Sequence, residues 1–336
     1  MIIPSRLLEK LALRCFPNEP PAAAAFIEAV VTPRDRTSAI LWLDAPPAER
    51  PFATLPQLDW QPAFVDRVAA DIKPGQHPLH DSGAFYVLDF SSVFAASVVT
   101  SILPQTAAVN LVLDVCSAPG GKAIFASRAL APKLLLCNEV IRKRCKALIS
   151  NLARCNVPRS AVLSLDPKPL ADRLTGLATL VIVDAPCSGQ SLLVKGKPVP
   201  GCFHPRTITM NLRRQRRILA EASAAVTPGG FLAYMTCTYS PEENEEVVEW
   251  FCERFPEFSP LEVPPLKAFR THLSELPAYR LWPQSQLGAG SFVTLFTRAR
   301  FTSADSAEPI CPPVAEIGDL SDLQRLDLRP LWTARS

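Results

Sequence analysis

Two cysteines that lie fifty residues apart end apolar runs in the same way. "LVIVDAPCSGQ" (180–190) stops at Cys187, and "FLAYMTCTYSPEENEE" (231–246) stops at Cys237. Loop residues follow each one, Ser188 and Gly189 in the first case and Thr238, Tyr239, Ser240 and Pro241 in the second. A cysteine inside an apolar run is a small hydrophobe, and Cys116, Cys137, Cys145 and Cys155 read that way. A thiol at the mouth of a strand can instead ionise and attack an electrophilic carbon. Asp184 precedes Cys187 by three residues, so a carboxylate stands beside the first thiol.

These groups need a scaffold, and the pattern from residue 76 onward supplies one. "NLVLDVC" (110–116) is nearly all apolar, as expected of a strand covered on both faces. Helix "GGKAIFASRAL" follows, then strand "KLLLCNEV", helix "IRKRCKALISNLARCNV", strand "SAVLSLD" and strand "TLVIVDAPC". "NLRRQRRILAEASAAV" reads as a helix before the strand that ends at Cys237, and "SFVTLFTR" (291–298) is a late strand. Strands alternating with helices give an α/β fold with a mostly parallel, doubly wound sheet.

The first loop of such a sheet sits at its carboxyl edge, where ligands bind. Here it is "CSAPGGK": Cys116, Ser117, Ala118, Pro119, Gly120, Gly121 and Lys122. The two glycines allow a tight turn and a close backbone approach. The spacing fits neither the dinucleotide fingerprint nor the phosphate loop. Glu139 ends the second strand, where a carboxylate accepts ribose hydroxyls, and Asp166 ends the third, within reach of an adenine amino group. Acids at strand ends without a phosphate cradle suit a nucleoside that lacks a polyphosphate, and S-adenosylmethionine is the cofactor expected.

Strands four and five are neighbours in the sheet order usual for methyltransferases, with a spacing of about 4.8 Å. Cys187 and Cys237 are therefore expected to open on one pocket beside the cofactor. Methylation of a pyrimidine at carbon 5 needs such a thiol, because that carbon becomes nucleophilic only after a thiolate adds to carbon 6. Asp184 is placed to bond ring nitrogen 3 of the base, and the Pro186 carbonyl to take an exocyclic amine, which favours cytosine.

Taken together, "DVCSAPGGK", "NEVIRKRCKALISNLARCNV", "DAPCSG" and "YMTCTYSPEENEEVV" resemble the Sun (Fmu) family of RNA cytosine-5 methyltransferases, the RsmB- and RsmF-like proteins. The similarity runs from about Gly83 to Arg298. It implies a Rossmann-like class I methyltransferase fold and ribosomal RNA as the commonest bacterial substrate, with tRNA as the alternative. It also implies that Cys237 is the nucleophile and that Cys187 helps release the product. The chain departs from the family pattern at Leu88, where glutamine is frequent, at Ala123, where threonine is usual, and through residues 191–208.

Charge points to the same kind of partner. Residues 111–240 carry 18 Lys/Arg against 6 Asp/Glu, whereas residues 1–110 carry 8 against 11. A basic block around the thiols suits an anionic polymer. Lys195, Lys197, Arg206, Arg213 and Arg217, between the two cysteine strands, are expected to hold phosphates flanking a flipped-out cytidine. An RNA-binding relative without activity and a small-molecule methyltransferase of the same fold are the competing readings.

The remainder of the chain sets the frame. Residues 1–75 hold helical patterns broken by prolines and are expected to form a small helical N-terminal domain, with residues 76–300 as the methyltransferase domain and 301–336 as a partly irregular tail. No apolar run reaches the roughly 18 residues of a membrane helix, and no export signal is evident at residue 1. Ten cysteines without CxxC pairs suggest reduced thiols in the cytoplasm. The four histidines lack metal-ligand spacing, so no metal is expected, and a monomer is expected.

Overall fold

Ser5 opens the first helix, its hydroxyl accepting the Leu8 N–H at 3.2 Å. A computed structural model describes this helix and the rest of residues 4–32, 37–300 and 319–334. Helices α1 (Arg6–Cys15) and α2 (Pro20–Val31) pack against each other through Leu8, Leu11, Phe16, Phe26 and Val30. Strands β1 (Ser38–Trp42), β2 (Thr54–Leu55) and β3 (Val65–Val68) come next, then the short helix α3 (Pro78–Asp81) and strand β4 (Phe85–Asp89). These strands form an antiparallel sheet in the order β2-β3-β1-β4.

This sheet corrects the expectation that helices and a proline-rich connection alone fill the chain up to residue 75. "SAILW" and "VDRV" are rich in β-branched and aromatic residues, and the prolines around them break helices rather than merely linking them. Ser38 pairs with both Val68 and Asp89, so a division at residue 75 runs through the sheet.

After α4 (Phe90–Ser97) the α/β alternation begins. Its elements are β5 (Leu111–Asp114), α5 (Gly121–Leu130), β6 (Leu134–Asn138), α6 (Arg142–Arg154), β7 (Ser160–Leu163), α7 (Pro167–Arg173), β8 (Ala178–Asp184), α8 (Ser191–Val194), α9 (Pro205–Ser223), β9 (Val226–Thr236) and α10 (Glu245–Arg254). Strands β10 (Phe258–Pro260), β11 (Tyr279–Leu281) and β12 (Ser291–Arg298) follow, then α11 (Asp322–Arg325) and β13 (Trp332–Thr333).

The large sheet runs β10-β12-β9-β8-β5-β6-β7-β13, with β11 also on β12. Its five central strands are parallel, and the outer ones are antiparallel. This is the doubly wound, Rossmann-like architecture expected. Alternate residues of β8 serve opposite cores, Leu180 and Ile182 on one face, Val181 and Val183 on the other. Burying each of these side chains contributes roughly 1.5–3 kcal/mol. Both faces being covered explains why the strands read as continuous apolar runs.

Over its described part the tail holds α11, and β13 adds to β7 through Trp332 and Val162. Residues 301–318 of that expected irregular tail lie outside the described residues. Among the described residues, no helix is long and apolar enough to cross a membrane.

Candidate active site

Strands β8 and β9 run parallel, with Asp184 opposite Met235. Each chain leaves the sheet within three residues of that point, and the two departing loops carry the cysteines. The sulfurs of Cys187 and Cys237 lie 3.3 Å apart as free thiols. The Ser191 N–H donates to the Cys237 carbonyl at 3.1 Å and ties the loops together. Strand adjacency therefore brings the two thiols together.

The two thiols are not equivalent. The hydrogen bond between them holds Cys237 below the ordinary thiol pKa, against burial and the nearby Asp184 carboxylate, with Lys122 adding to the lowering. The same bond, and then burial, pushes Cys187 well above it. The directions of these shifts favour Cys237 as the thiol that ionises first.

Lys122 lies in the first turn of α5, and its ammonium sits 2.8 Å from an Asp184 carboxylate oxygen. Burial works to lower the Lys122 pKa, but Asp184 outweighs it and the net shift is upward. Behind this pair Asp114, at the end of β5, is fully buried with no hydrogen-bond partner on either oxygen among the described residues. Burial, and then the Asp184 charge, push its pKa up to about 7. A buried, unpartnered carboxylate calls for a ligand that brings donors or positive charge.

The loop from Cys116 to Lys122 lines that edge. Gly120 has φ +110°, a left-handed conformation that suits glycine, and its N–H closes a turn onto the Ser117 carbonyl at 2.7 Å. A Cβ on Gly121 would meet the Leu88 side chain at 2.6 Å, so Leu88 seals the back of the loop. Among the described residues the Ser117 hydroxyl is buried with no partner at hydrogen-bond distance, whereas Cys116 is half-buried and burial pushes its thiol pKa up. Ala118 offers its carbonyl to Arg144 at 2.5 Å, and exposed Pro119 offers its own to Asn151 at 2.9 Å.

Glu139 is buried at the end of β6, near the same edge. One oxygen accepts the Ile141 N–H at 2.9 Å and the other pairs with Arg144 at 2.9 Å. Each carboxylate oxygen has a further lone pair for a hydroxyl. Asp166 is exposed at the N-terminus of α7 and makes no side-chain capping bond, which leaves it open to a ligand. The Pro186 carbonyl already takes a hydrogen bond from Gln215 at 3.0 Å, and one lone pair remains on that oxygen.

The basic residues divide into three groups. Lys195 is committed to Asp89, 3.3 Å away and half-buried, so it braces β4 rather than presenting a free charge. Lys197 is exposed. Arg206, Arg213 and Arg217 form one exposed stripe of α9 with Met210, whereas Asn211, Gln215, Ile218 and Ala222 form the buried face. Gln215 is the residue turned toward the thiol loops, and at 100° per residue Arg213 and Arg217 point the opposite way. Phosphates held by this stripe would lie away from the thiols and not beside the reacting base.

Several residues escaped the sequence reading. Glu243, Gln215 and Gln190 are fully buried polar groups among the loops. Gln190 accepts the Tyr239 N–H at 2.9 Å and donates to Ser240 at 2.8 Å and to the Cys202 carbonyl at 3.1 Å. The N-terminal helices press on the same loop. Phe26 stands edge-on to Tyr239 at 5.1 Å, and Arg14 reaches Glu242 at 2.6 Å. A run such as "PEENEE" suggests a solvated helix start, and nothing local marks which of its acids is buried.

Known proteins resemble this chain. The chain is 31% identical over 243 residues to a ribosomal RNA small subunit methyltransferase F from Pectobacterium carotovorum, a match covering 71% of this chain and 48% of that protein. It is 32% identical over 264 residues to the protein of the same name from Escherichia coli O9:H4, covering 76% and 53%. The chain thus spans about half the length of the curated relatives it matches. A methyltransferase homologue from Pyrococcus horikoshii superposes with a TM-score of 0.69 over 88% of this chain and 95% of that one, and at 19% identity this is a likeness of fold. Residues 101–297, from before the glycine loop to the late strand, match a family of S-adenosylmethionine-dependent enzymes described as 16S rRNA methyltransferase RsmB/F, and the chain belongs to that family.

Proposed function

We propose that this protein methylates carbon 5 of a cytidine in RNA, ribosomal RNA foremost, through a covalent adduct on Cys237. The observation that carries the reading is the 3.3 Å contact between the Cys187 and Cys237 sulfurs at the ends of adjacent parallel strands. A single buried thiol is commonplace, whereas a thiolate held by a second thiol is an arrangement for addition and elimination.

The residues at the carboxyl edge fit the cofactor. The orphaned Asp114 carboxylate and the loop from Cys116 to Lys122 would hold its methionine end, Glu139 its ribose and Asp166 its adenine. Bound there, S-adenosylmethionine supplies an electrophilic methyl carbon.

The chain's own groups do the rest. The Cys237 thiolate adds to carbon 6 of the base, and the carbon 5–carbon 6 double bond yields its electrons to make carbon 5 nucleophilic. Asp184, with Lys122 on one oxygen, would accept a hydrogen bond from ring nitrogen 3 once that nitrogen is protonated in the adduct, and so hold the base in register. Once carbon 5 carries its methyl group, its proton passes to water, the double bond re-forms and the bond from carbon 6 to sulfur breaks. The Cys187 S–H stabilises the departing Cys237 thiolate through the bond that favours that thiolate before attack. The outward stripe of Arg206, Arg213 and Arg217, with Lys197, would grip RNA phosphates at a distance from the target.

Single cysteine variants test this. Cys237→Ala is expected to abolish transfer of labelled methyl groups to total RNA and to form no covalent complex. Cys187→Ala is expected to slow elimination, so that enzyme bound to methylated RNA persists on a denaturing gel and resists reducing agent, as a thioether does. Trapping by Cys237→Ala instead would reverse the roles, and full activity in both variants would end the covalent mechanism.

A further inference from the structure

The carboxylate of Glu243 is fully buried and grips both cysteine loops at once. One oxygen accepts the Ser188 N–H at 2.9 Å and the Gln215 carboxamide at 2.9 Å. The other faces the Thr238 hydroxyl at 3.4 Å. Ser188 directly follows Cys187, Thr238 directly follows Cys237, and their hydroxyls meet at 2.7 Å. Gln215 also donates to the carbonyl of Pro186, the residue before Cys187. Each of these partners is neutral. Placing a carboxylate in such surroundings is costly, and a neutral side chain of the same length could bridge the same groups without that cost.

We infer that Glu243 is a positioning residue whose negative charge helps to keep the proton on Cys187, adding to the bond between the two sulfurs. The inference rests on the thiol chemistry proposed above. A charge behind the Cys187 loop disfavours a second negative charge at Cys187, and the proton therefore stays there. Cys237 feels the Asp184 carboxylate, which opposes its thiolate, and the Lys122 ammonium, which favours it by less, and its lowering rests on the bond from Cys187. Burial raises the Glu243 pKa on balance, and the bonds from Ser188, Gln215 and Thr238 limit that rise. The two loops are thus fixed in distance by hydrogen bonds, and one buried charge adds to their polarity.

Thiol alkylation reads this directly and requires neither RNA nor cofactor. Full-length protein is treated with limiting iodoacetamide at one fixed pH, and the modified peptides containing Cys187 and Cys237 are counted by mass spectrometry. The wild-type chain is expected to be alkylated first at Cys237. In Glu243→Gln the ratio of Cys237 to Cys187 modification is expected to fall by roughly tenfold, the change in thiolate fraction that one pH unit brings. Glu243→Asp keeps the charge and is expected to restore the ratio to within about threefold of wild type, on the same scale. Melting curves confirm that each variant is folded before it is alkylated. A wild-type ratio in Glu243→Gln, or equal loss in Glu243→Asp, would overturn the inference and leave Glu243 as a structural bridge. Preferential alkylation of Cys187 in the wild type would count instead against the thiol roles proposed above.

Discussion

Arg280 and Glu245 form an ion pair shut off from solvent, each side chain only 2% exposed, beneath the Cys237 loop. Arg280 Nε donates to Glu245 at 2.6 Å, and its Nη1 reaches the Tyr239 carbonyl at 3.0 Å. The guanidinium also lies 4.6 Å from the Trp282 ring centre. One buried cation therefore joins β11, α10 and the loop that carries the thiol.

Removing one member of this pair strands the other. Arg280→Met is expected to cost about 3–5 kcal/mol of stability, because Glu245 would keep a buried and uncompensated charge. Replacing both residues by methionine is expected to regain most of that loss. Urea denaturation of the two single variants and the double variant checks it, and additive losses would show that the pair is not coupled.

Cofactor affinity should depend on Glu139. Its oxygens are already engaged by Ile141 and Arg144, so the carboxylate is fixed in place before a ligand arrives. Glu139→Ala is expected to weaken S-adenosylmethionine binding by about 1.5–3 kcal/mol, the range for losing hydrogen bonds to a charged group. An unchanged dissociation constant by calorimetry, with an unchanged melting curve, would remove Glu139 from the ribose site.

Asp114 makes stability depend on pH. Its pKa is raised from 3.8 to about 7 in the folded chain, so the native state holds this proton more tightly than the unfolded state does. Stability from that protonation is fully present below about pH 4 and is lost as pH rises toward 7. Asp114→Asn is expected to be more stable than wild type by about 2–4 kcal/mol above pH 7, with the gap closing in acid. Denaturant titrations across that range test it, and a gap independent of pH would show that the charge is not responsible.

RNA grip should be electrostatic. Arg213 and Arg217 share an exposed face of α9 that points away from the thiols. Replacing both by alanine is expected to weaken binding of every RNA tested and to lower the slope of log affinity against log salt by roughly 0.7 for each lost phosphate contact. Loss confined to one sequence, with the slope intact, would mean that these arginines read bases.

Much of the catalytic architecture was legible in the chain itself, and for local reasons. Strands buried on both faces, such as Leu111–Asp114 and Ala178–Asp184, need apolar residues at every position, and the chain writes that as a continuous run. The turn at Gly120 and the cysteines at two strand ends are likewise set by residue type and position along a strand. Parallel pairing of adjacent strands then brings Cys187 and Cys237 together.

What only the tertiary structure decided depends on contacts between distant parts of the chain. Strand Ser38–Trp42 finds its partners at 65–68 and 85–89, so the prolines nearby obscured a sheet whose pairing is not local. Lys195 looked like a free cation until Asp89 closed on it, and Arg213 and Arg217 looked adjacent to the thiols until Gln215 claimed the inward face of their helix. Glu243 sits in a run of acids in which Glu243 and Glu245 are buried and Glu246 is exposed. Residue type states that a side chain can carry charge, and only packing decides whether water, a cation or a pair of loops surrounds it, because desolvation depends on every neighbour in space.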